Sequence, residues 1–461
     1  MIIVAFFIGA AERATVPNRS LSILAATAVT MVTTAMICLP ATTAAPPETT
    51  TADFYVPPTP LPAGPPGTII RSQPYKLAIS VPERNGRIPA NATRLMYLST
   101  DTHGAPNAVT GTYLATTLPW KGPGPRPLVA YAVGTHGQGD HCAPSKLLQE
   151  FVTYRPPVDV LPEYEIVGIY DLLAHGMSVV VTDYYGLGTP PIHDYVNRLS
   201  QAHAVLDSLR AAQRLPGSDI RQDTPLALFG YSQGGGASAA AAELQANYAP
   251  ELNVRGAYAG APPANLLEVL NSPGLNGGPI GNGRPGGAAI GLIGYVINGV
   301  YADYPESRSV IDQTVNLKGA KFLKDVAQQC VGATILNYAY DDSRAFIANG
   351  QSISTVINSS PVLKGIAEEQ TIGTLKPQAP VLLVSNINDD LVPHQQVRQL
   401  AEQWCTQGAT VKLDTALLPP LIPSTIIGHG IELIPGIDAG EDWISDRFAG
   451  KPAPNSCGSM S

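Results

Sequence analysis

The sequence predicts an α/β fold, in which the strands of a parallel sheet alternate with helices that cover both faces. Two observations predict it. Short runs rich in β-branched and aromatic residues alternate with longer stretches of helical periodicity. One of these runs also leads through a glycine-rich turn directly into an alanine-rich helical stretch. The length of 461 residues exceeds that at which a single core stops growing, so we expect an insertion or a second domain.

The predicted elements follow one another along most of the chain. We expect strands at 93–99, 108–116, 127–133, 178–183, 225–229, 254–259 and 380–385, and helices at 166–174, 198–213, 237–248 and 438–448. Between Pro262 and Pro377 the alternation lapses, and residues 271–287 are dense in Gly, Pro and Asn. We therefore divide the predicted domain into a first core part (67–261), a cap insertion (262–377) and a second core part (378–461).

The N-terminal region has the pattern of an export signal. Arg13 and Arg19 precede a moderately apolar stretch at residues 21–39, after which small residues follow. We predict that residues 1–44 form a signal peptide that is removed, and that the Pro- and Thr-rich residues 45–66 form a linker or extended arm. A retained membrane anchor is the alternative, because the stretch approaches spanning length. The predicted location is outside the cell or in the cell envelope.

Charge and cysteine content exclude several partners and cofactors. The net charge is −8 and the chain has no basic run, so we do not expect a nucleic acid as partner. Four cysteines follow the predicted signal, namely Cys142, Cys330, Cys405 and Cys457. An even number in an oxidising compartment predicts two disulfides, for which three connectivities are open. No pair has C-x-x-C spacing, so neither a metal centre nor another cofactor is predicted.

The glycine-rich turn Gly230-Tyr231-Ser232-Gln233-Gly234 carries the predicted chemistry. A G-x-S-x-G motif between a strand and a helix is typical of the nucleophile elbow of an α/β-hydrolase fold. The strained backbone and the close approach of strand and helix leave no room for side chains at the two glycines. We therefore predict that Ser232 is the nucleophile of a serine hydrolase. The alternative is a glycine-rich turn whose serine has no role.

The predicted nucleophile needs a base and an acid that orients the base. In this fold the chain order is Ser, then Asp or Glu, then His, and only His394 and His429 follow the last predicted strand of the list above. We choose His429, which lies in a glycine-flanked turn, because His394 is expected to begin a helix. Asp389 and Asp390 directly follow the strand at 380–385. We choose Asp389 as the acid, with Asp390 as the alternative.

Two backbone N–H donors should stabilise the tetrahedral intermediate. The amide of Gln233, next to the nucleophile, supplies one, and the loop Val133–Cys142 supplies the other. We choose Thr135 in that loop, with His136 as the alternative. The histidines and the aspartate of this loop match no zinc pattern, and we interpret them as solvated loop residues. We interpret the segment Asp183–Gly188 as a structural turn.

Several segments in order resemble the secretory lipase family, the lipase A-type triacylglycerol lipases of fungi and actinobacteria. They span about residues 53–457 and are Phe54–Pro58, Pro66–Arg71, Cys142–Ser145, Gly230–Gly236, Asp389–Pro393, Gly428–Gly430 and Trp443–Gly450. The resemblance implies an α/β-hydrolase core with an inserted, mainly helical cap and a triad of Ser232, Asp389 and His429. It also implies the disulfides Cys142–Cys330 and Cys405–Cys457. The oxyanion loop departs from the pattern, because the yeast members carry Asp at the position of Thr135.

These patterns predict a secreted serine hydrolase that cleaves carboxylic esters through an acyl-enzyme on Ser232, as an esterase or triacylglycerol lipase. The expected partners are a lipid or small ester substrate and a lipid–water interface. Apolar residues are concentrated in the cap. We interpret them as part of a lid over the site; the alternative is that they form the cap's own hydrophobic core. They are Leu275, Ile280, Ile290, Leu292, Ile293, Val296, Ile297 and Val300. Two alternatives remain, namely an acyltransferase acting on cell-envelope lipids and a non-catalytic exported surface protein.

Overall fold

The computed structural model describes residues 54–79, 81–83, 86–88, 90–276, 286–419 and 422–460. The predicted signal peptide and the first part of the predicted arm lie outside the described residues, as does Ile280 of the cap. No helix among the described residues has the length and apolar character needed to cross a membrane.

Thirteen strands are present in the described residues. They are β1 (Ile69–Tyr75), β2 (Val81–Glu83), β3 (Gly86–Ile88), β4 (Ala90–Thr100), β5 (Pro106–Thr116), β6 (Leu128–Ala132), β7 (Val152–Arg155), β8 (Asp159–Pro162), β9 (Ser178–Tyr185), β10 (Leu226–Tyr231), β11 (Val254–Gly260), β12 (Val381–Asn386) and β13 (Val411–Ala416). Nine of them form one sheet in the order β1-β4-β5-β9-β6-β10-β11-β12-β13.

The sheet is mixed, and the prediction of a parallel sheet is wrong for one side of it. From β9 through β6 to β13 all neighbours are parallel. By contrast, β1, β4, β5 and β9 pair antiparallel. The turn between β4 and β5 is too short for the crossover that parallel neighbours require, so these two strands form a hairpin. The helical alternation on which the prediction depended begins only after β6.

Fifteen α-helices are present in the described residues. They are α1 (Pro144–Glu150), α2 (Ile166–Ala174), α3 (Arg198–Arg214), α4 (Gln233–Tyr248), α5 (Leu266–Leu270), α6 (Pro273–Asn276), α7 (Leu292–Asp303), α8 (Pro305–Thr314), α9 (Leu317–Val326), α10 (Val331–Tyr338), α11 (Ile353–Ser359), α12 (Pro361–Glu369), α13 (His394–Thr406), α14 (Ile427–Gly430) and α15 (Leu433–Phe448). The predicted bounds of the helix at 166–174 are confirmed, whereas α4 begins four residues earlier than predicted, directly after Ser232.

Helices cover both faces of the sheet. Successive residues of a strand point to opposite faces, so neighbouring residues of one strand contact helices on different sides. Gly230 on β10 faces the first turn of α4, where a Cβ at Gly230 would lie 2.3 Å from the carbonyl oxygen of Gly234. The neighbouring Phe229 faces the other side, where a Cβ at Gly440 of α15 would lie 2.8 Å from its ring. Both faces of the central strands are therefore buried, and the core is continuous across the sheet.

The helices α5 to α12 lie between β11 and β12 in the chain. This mainly helical insertion into an α/β-hydrolase core confirms the predicted fold class. The carboxyl ends of β10 and β12 lie on one edge of the sheet, since both run parallel to β11. Ligands of such sheets bind at that edge, and the residues that follow these strands are therefore brought together.

The start of the described chain packs against the antiparallel side of the sheet. Phe54 and Tyr55 are buried in a small cluster with Met96 and Ala108. The Tyr55 hydroxyl lies 2.9 Å from the Ser145 hydroxyl. The described part of the predicted arm is therefore anchored to the core by two aromatic rings.

Candidate active site

Ser232 occupies a strained turn between β10 and α4. Its backbone has φ 60° and ψ −123°, a conformation that costs energy for any residue with a side chain. The Ser232 amide donates to the carbonyl of Gly260 at 2.9 Å. A Cβ at Gly234 would lie 1.9 Å from the carbonyl oxygen of Ala132. The predicted steric reason for the glycines of the elbow is thereby confirmed.

The hydroxyl of Ser232 contacts the imidazole of His429. The distance from His429 Nε2 to Ser232 Oγ is 2.9 Å, and that from His429 Nδ1 to Asp389 Oδ2 is 2.8 Å. Asp389 is held in place because its Oδ1 accepts the amides of Leu391 and Val392. The three side chains thus form a continuous chain of hydrogen bonds, the arrangement expected of a serine, a base and its orienting acid.

The two alternative residues lie in other contacts. Asp390 accepts the amides of Thr425 and Ile426 at 3.0 and 2.8 Å through Oδ2, and the amide of His429 at 3.3 Å through Oδ1. It therefore organises the backbone of the loop that carries the imidazole. His394 is the first residue of α13, as predicted, and its Nδ1 lies 3.2 Å from the Ser385 hydroxyl.

The electrostatic environment of His429 favours its protonated form. Burial lowers the pKa of His429, but the neighbouring Asp389 carboxylate outweighs this effect, so the pKa is raised above 6.5. Burial, together with the charge of Asp389, raises the pKa of Glu432 to about 7. A protonated imidazole between the serine and the aspartate is the species that forms when the base takes the serine proton.

The candidate oxyanion donors lie on the two sides of the elbow. Gln233 is the first residue of α4, and amides of a first helical turn have no partner within the helix. Thr135 lies in the loop after β6. This loop lies next to the elbow, since a Cβ at Gly134 would be only 3.4 Å from the carbonyl oxygen of Tyr231. The hydroxyl of Thr135 lies 2.7 Å from that of Tyr195.

The interpretation of the loop histidines as solvated is wrong. His136 and His141 are buried, and acidic residues of the segment before α2 lie next to them. His136 Nε2 lies 3.2 Å from Glu163, and His141 Nε2 lies 2.8 Å from Asp159. Of the residues so interpreted, only Asp140 is exposed. The acidic partners of His136 and His141 are 18 or more positions away from them in the sequence, so no local pattern could have identified these pairs.

A buried glutamate, which the sequence motifs did not indicate, supports the oxyanion loop. Glu165 accepts the amide of Gly134 at 2.6 Å and the hydroxyl of Tyr131 at 2.8 Å. Burial raises the pKa of Glu165 to about 7. The position of the loop next to the elbow therefore depends on a carboxyl group in the segment before α2.

His193 supports the other donor and was also missed. Its Nδ1 donates to the carbonyl of Tyr185 at 2.8 Å, and its Nε2 lies 3.1 Å from the side-chain nitrogen of Gln233. Burial lowers the pKa of His193 to about 4, so the ring is neutral and its Nε2 accepts a hydrogen bond from Gln233. The predicted structural turn begins too early, because Asp183 lies within β9, where it accepts hydrogen bonds from Ser145 and Thr110.

An apolar cavity opens beside Ser232 and Gln233. Tyr195 and Leu391 line it from the core, and Pro263 and helices of the cap supply much of the remaining lining. Five of the predicted lid residues on α7 belong to this lining, namely Leu292, Ile293, Val296, Ile297 and Val300. Most of the lining side chains are apolar, so few polar atoms would lose their hydration if an apolar group entered.

Two disulfides join the four cysteines. The pairs are Cys142–Cys330 and Cys405–Cys457, with S–S distances of 2.09 and 2.05 Å. This is the pairing that the family resemblance implies. Next to the first disulfide, the amide of Val331 donates to the carbonyl of His136 at 2.8 Å. The cap is therefore tied to the oxyanion loop by a covalent bond and by backbone hydrogen bonds.

Comparisons with known proteins identify the family and the fold. The model of the secretory lipase family matches residues 157–456. The chain is 28% identical to a protein named probable inactive lipase from Mycobacterium tuberculosis, over 87% of this chain and 82% of the relative. It is also 28% identical to lipase 10 of Candida albicans, over 88% of this chain and 82% of that relative.

Among solved structures, lipase A of Candida antarctica in its closed state has the same fold. The TM-score is 0.69 at 23% sequence identity, and the match covers 88% of this chain and 87% of that one. The rice cell wall degrading esterase LipA from Xanthomonas oryzae matches with a TM-score of 0.67 at 19% identity, over 84% of this chain and all of that one. Since the family model matches well over half of the chain, this protein belongs to the secretory lipase family of carboxylic ester hydrolases.

Proposed function

We propose that this protein is a lipase that hydrolyses esters of medium to long acyl chains, triacylglycerols among them, through an acyl-enzyme on Ser232. The observation that carries the proposal is the hydrogen-bonded chain from Ser232 through His429 to Asp389 at the mouth of an apolar cavity. A triad supplies the chemistry, and an apolar cavity supplies binding energy for an acyl chain.

The proposed reaction has two steps. Ser232 Oγ attacks the ester carbonyl while His429 Nε2 takes the hydroxyl proton, and the protonated imidazole then returns that proton to the leaving alcohol. A water molecule next attacks the acyl-enzyme, with His429 again accepting and returning one proton, and the carboxylic acid leaves. Asp389 keeps the proton of His429 on Nδ1 and stabilises the charged ring throughout. No cofactor takes part.

In both steps the carbonyl oxygen becomes negatively charged. We propose that the amides of Gln233 and Thr135 stabilise it, since they flank the elbow on the side of α4 and on the side of β6. The hydrogen bond between Glu165 and the amide of Gly134 holds the second donor, and that between His193 and the Gln233 side chain supports the first. Because the donors are oriented before the substrate arrives, little reorganisation is needed during the reaction.

The substrate class follows from the cavity and agrees with the names of several relatives. A protein of Malassezia globosa named secreted triacylglycerol lipase is 29% identical over 55% of this chain. Each methylene group of an acyl chain that is buried in the cavity adds about 0.8 kcal/mol of binding. We infer that the cap helices bind the acyl chain and that cap movement at a lipid–water interface admits it.

The probable inactive relative makes a direct test of activity necessary. We expect hydrolysis of a p-nitrophenyl ester series from acetate to palmitate, and labelling of Ser232 by an active-serine phosphonate. Ser232→Ala should abolish labelling and lower kcat by about 10⁶-fold, because the triad acts as a unit. Ser238→Ala serves as a matched control, since that hydroxyl is bonded to the carbonyl of Tyr258 within the core.

An unlabelled wild-type protein without ester turnover would contradict the proposal and indicate a surface protein. Product analysis in the presence of a long-chain alcohol distinguishes hydrolysis, which yields free acid, from acyl transfer, which yields a new ester. We also propose that the protein is exported and that residues 1–44 are removed. N-terminal sequencing of protein from the culture medium tests this, and a chain that keeps Arg13 would contradict it.

A further inference from the structure

Two buried carboxylates face each other between α2 and α15. Asp171 lies in the last turn of α2, and Glu441 lies in α15. Their side chains are only 6% and 10% exposed. Two ionised carboxylates accept hydrogen bonds but donate none, so burying them together requires a proton or a cation between them.

His175 lies at the solvent side of this pair and brings a third ligating atom. Its Nδ1 lies 3.1 Å from Glu441 Oε1 and 3.8 Å from Asp171 Oδ1. The ligating atoms of the three residues all lie within 4.8 Å of one another. Within the described part of the chain, Asp171 Oδ2 is buried and has no hydrogen-bond donor when Glu441 is ionised. A carboxylate more than nine-tenths buried thus presents an unpaired oxygen beside two other ligand groups.

The local charge is strongly negative. Asp438 and Asp442 of α15 add negative charge near Asp171 and Glu441. The C-terminal end of α2 adds the partial negative charge of a helix terminus. His175 is half-exposed. A divalent cation would neutralise the carboxylates and satisfy the unpaired oxygen at once.

We propose that Asp171, His175 and Glu441 form a binding site for a divalent transition-metal ion, with Zn²⁺ as the best fit. Two carboxylate oxygens and one imidazole nitrogen are ligands of Zn²⁺, and the exposed side of His175 leaves a position for water. Ca²⁺ and Mg²⁺ prefer oxygen ligands alone. His175 Nδ1 also lies 2.9 Å from the carbonyl oxygen of Asp171, to which a neutral ring with its proton on Nδ1 donates, and binding of the metal at Nδ1 requires the other neutral tautomer, with the proton on Nε2.

The bound ion clamps α2 to α15. The segment before α2 holds the oxyanion loop through Glu165, and α15 follows the loop of His429. The site is therefore structural, and its occupation stabilises the folded protein. Zn²⁺ at about a hundredfold excess over its dissociation constant should raise Tm by about 3 °C for a chain of this size.

The test uses the purified mature protein after treatment with EDTA and dialysis. Thermal unfolding and calorimetric titration are measured with ZnCl₂, CaCl₂ and MgCl₂, and Co²⁺ is added to record the absorption spectrum of the bound ion. We expect one Zn²⁺ per chain, a Zn²⁺-dependent rise in Tm and no response to Ca²⁺ or Mg²⁺. His175→Ala and Glu441→Gln should abolish the response, whereas His103→Ala, at an exposed histidine elsewhere, should keep it.

Wild-type protein that does not bind Zn²⁺, or a His175→Ala variant that binds it as tightly, would overturn the site. So would a shared proton in place of the metal, in which case Glu441→Gln raises Tm in EDTA and the wild-type protein shows no response to any ion. His175→Ala removes a half-exposed side chain, so loss of folding does not obscure the outcome.

Discussion

At the scale of single residues, the candidate site depends on hydrogen bonds between side chains that are far apart in the sequence. Ser232 and His429 are separated by 197 positions, and Asp389 and His429 by 40. The adjacent aspartates have different contacts, since Asp389 faces the imidazole and Asp390 binds backbone amides. Two neighbouring residues of one type therefore serve the base in two different ways.

This difference predicts unequal effects of the matched variants Asp389→Asn and Asp390→Asn. Asp389→Asn should lower kcat by about 10⁴-fold, because the amide no longer stabilises the protonated imidazole or its tautomer. Asp390→Asn keeps one side-chain oxygen that can accept hydrogen bonds from backbone amides, so kcat should fall only about tenfold. Steady-state kinetics with one p-nitrophenyl ester measures both. A larger loss for Asp390→Asn would exchange the two assignments.

The raised pKa of His429 predicts the acidic limb of the pH profile. The base must be neutral to accept the serine proton, so activity is lost as the pH falls through the pKa of His429. Because Asp389 raises that pKa, the midpoint of kcat/KM should lie above 6.5. In Asp389→Asn the midpoint should move to lower pH. A wild-type midpoint below 6.5 would contradict the assignment of the base.

At the scale of elements, the cap and the oxyanion loop are held together by backbone hydrogen bonds and by a disulfide. Gly137 and Cys330 pair as a short antiparallel bridge, and Gln138 and Gly139 donate to the carbonyl of Gln329. The disulfide Cys142–Cys330 closes the same contact. The loop that carries Thr135 is therefore positioned by the segment between α9 and α10.

The disulfides provide matched variants for this element. Replacing either cysteine pair by serine should cost about 4–5 kcal/mol, because each closes a long loop in the unfolded chain. Cys142→Ser with Cys330→Ser should also lower kcat, since it loosens the oxyanion loop. Cys405→Ser with Cys457→Ser should leave kcat nearly unchanged, because this pair joins α13 to the C-terminal segment. Equal losses of kcat would argue against the coupling.

At the scale of the whole molecule, a mixed sheet presents the elbow, and the helical insertion covers it. The cavity that opens at Ser232 is lined by α7, α8, α11 and α12 of the cap as well as by the core. We therefore expect substrate preference to depend on the insertion, and the chemistry to depend on the residues at the carboxyl ends of the strands.

Because the cap lines the cavity, kcat/KM should depend on the length of the acyl chain. Specificity constants should rise about fourfold per methylene group from acetate towards octanoate, until the cavity ends. Val356→Phe, which places a larger side chain in the cavity lining, should lower kcat/KM for palmitate more than for acetate. Leu336→Phe, at an exposed position of the cap, is the matched control. A steady fall beyond butyrate would leave an esterase and exclude a lipase.

The sequence by itself determined the elbow, the order of the site residues and most strands of the core. These features are local, because backbone strain at Ser232 and the contact of Gly234 with β6 require particular residues at particular positions. Strand alternation likewise reflects burial of both faces of the sheet. The Asp389 and His429 assignments rested on chain order, which follows from the topology of the fold.

Only the tertiary structure decided the antiparallel side of the sheet, the burial of His136 and His141, and the supporting roles of Glu165 and His193. Each depends on partners that are distant in the sequence, and a polar side chain is stable in the core only where such a partner satisfies it. The carboxylate pair of Asp171 and Glu441 belongs to the same class, since 270 positions separate residues whose charges meet only when α2 and α15 pack together.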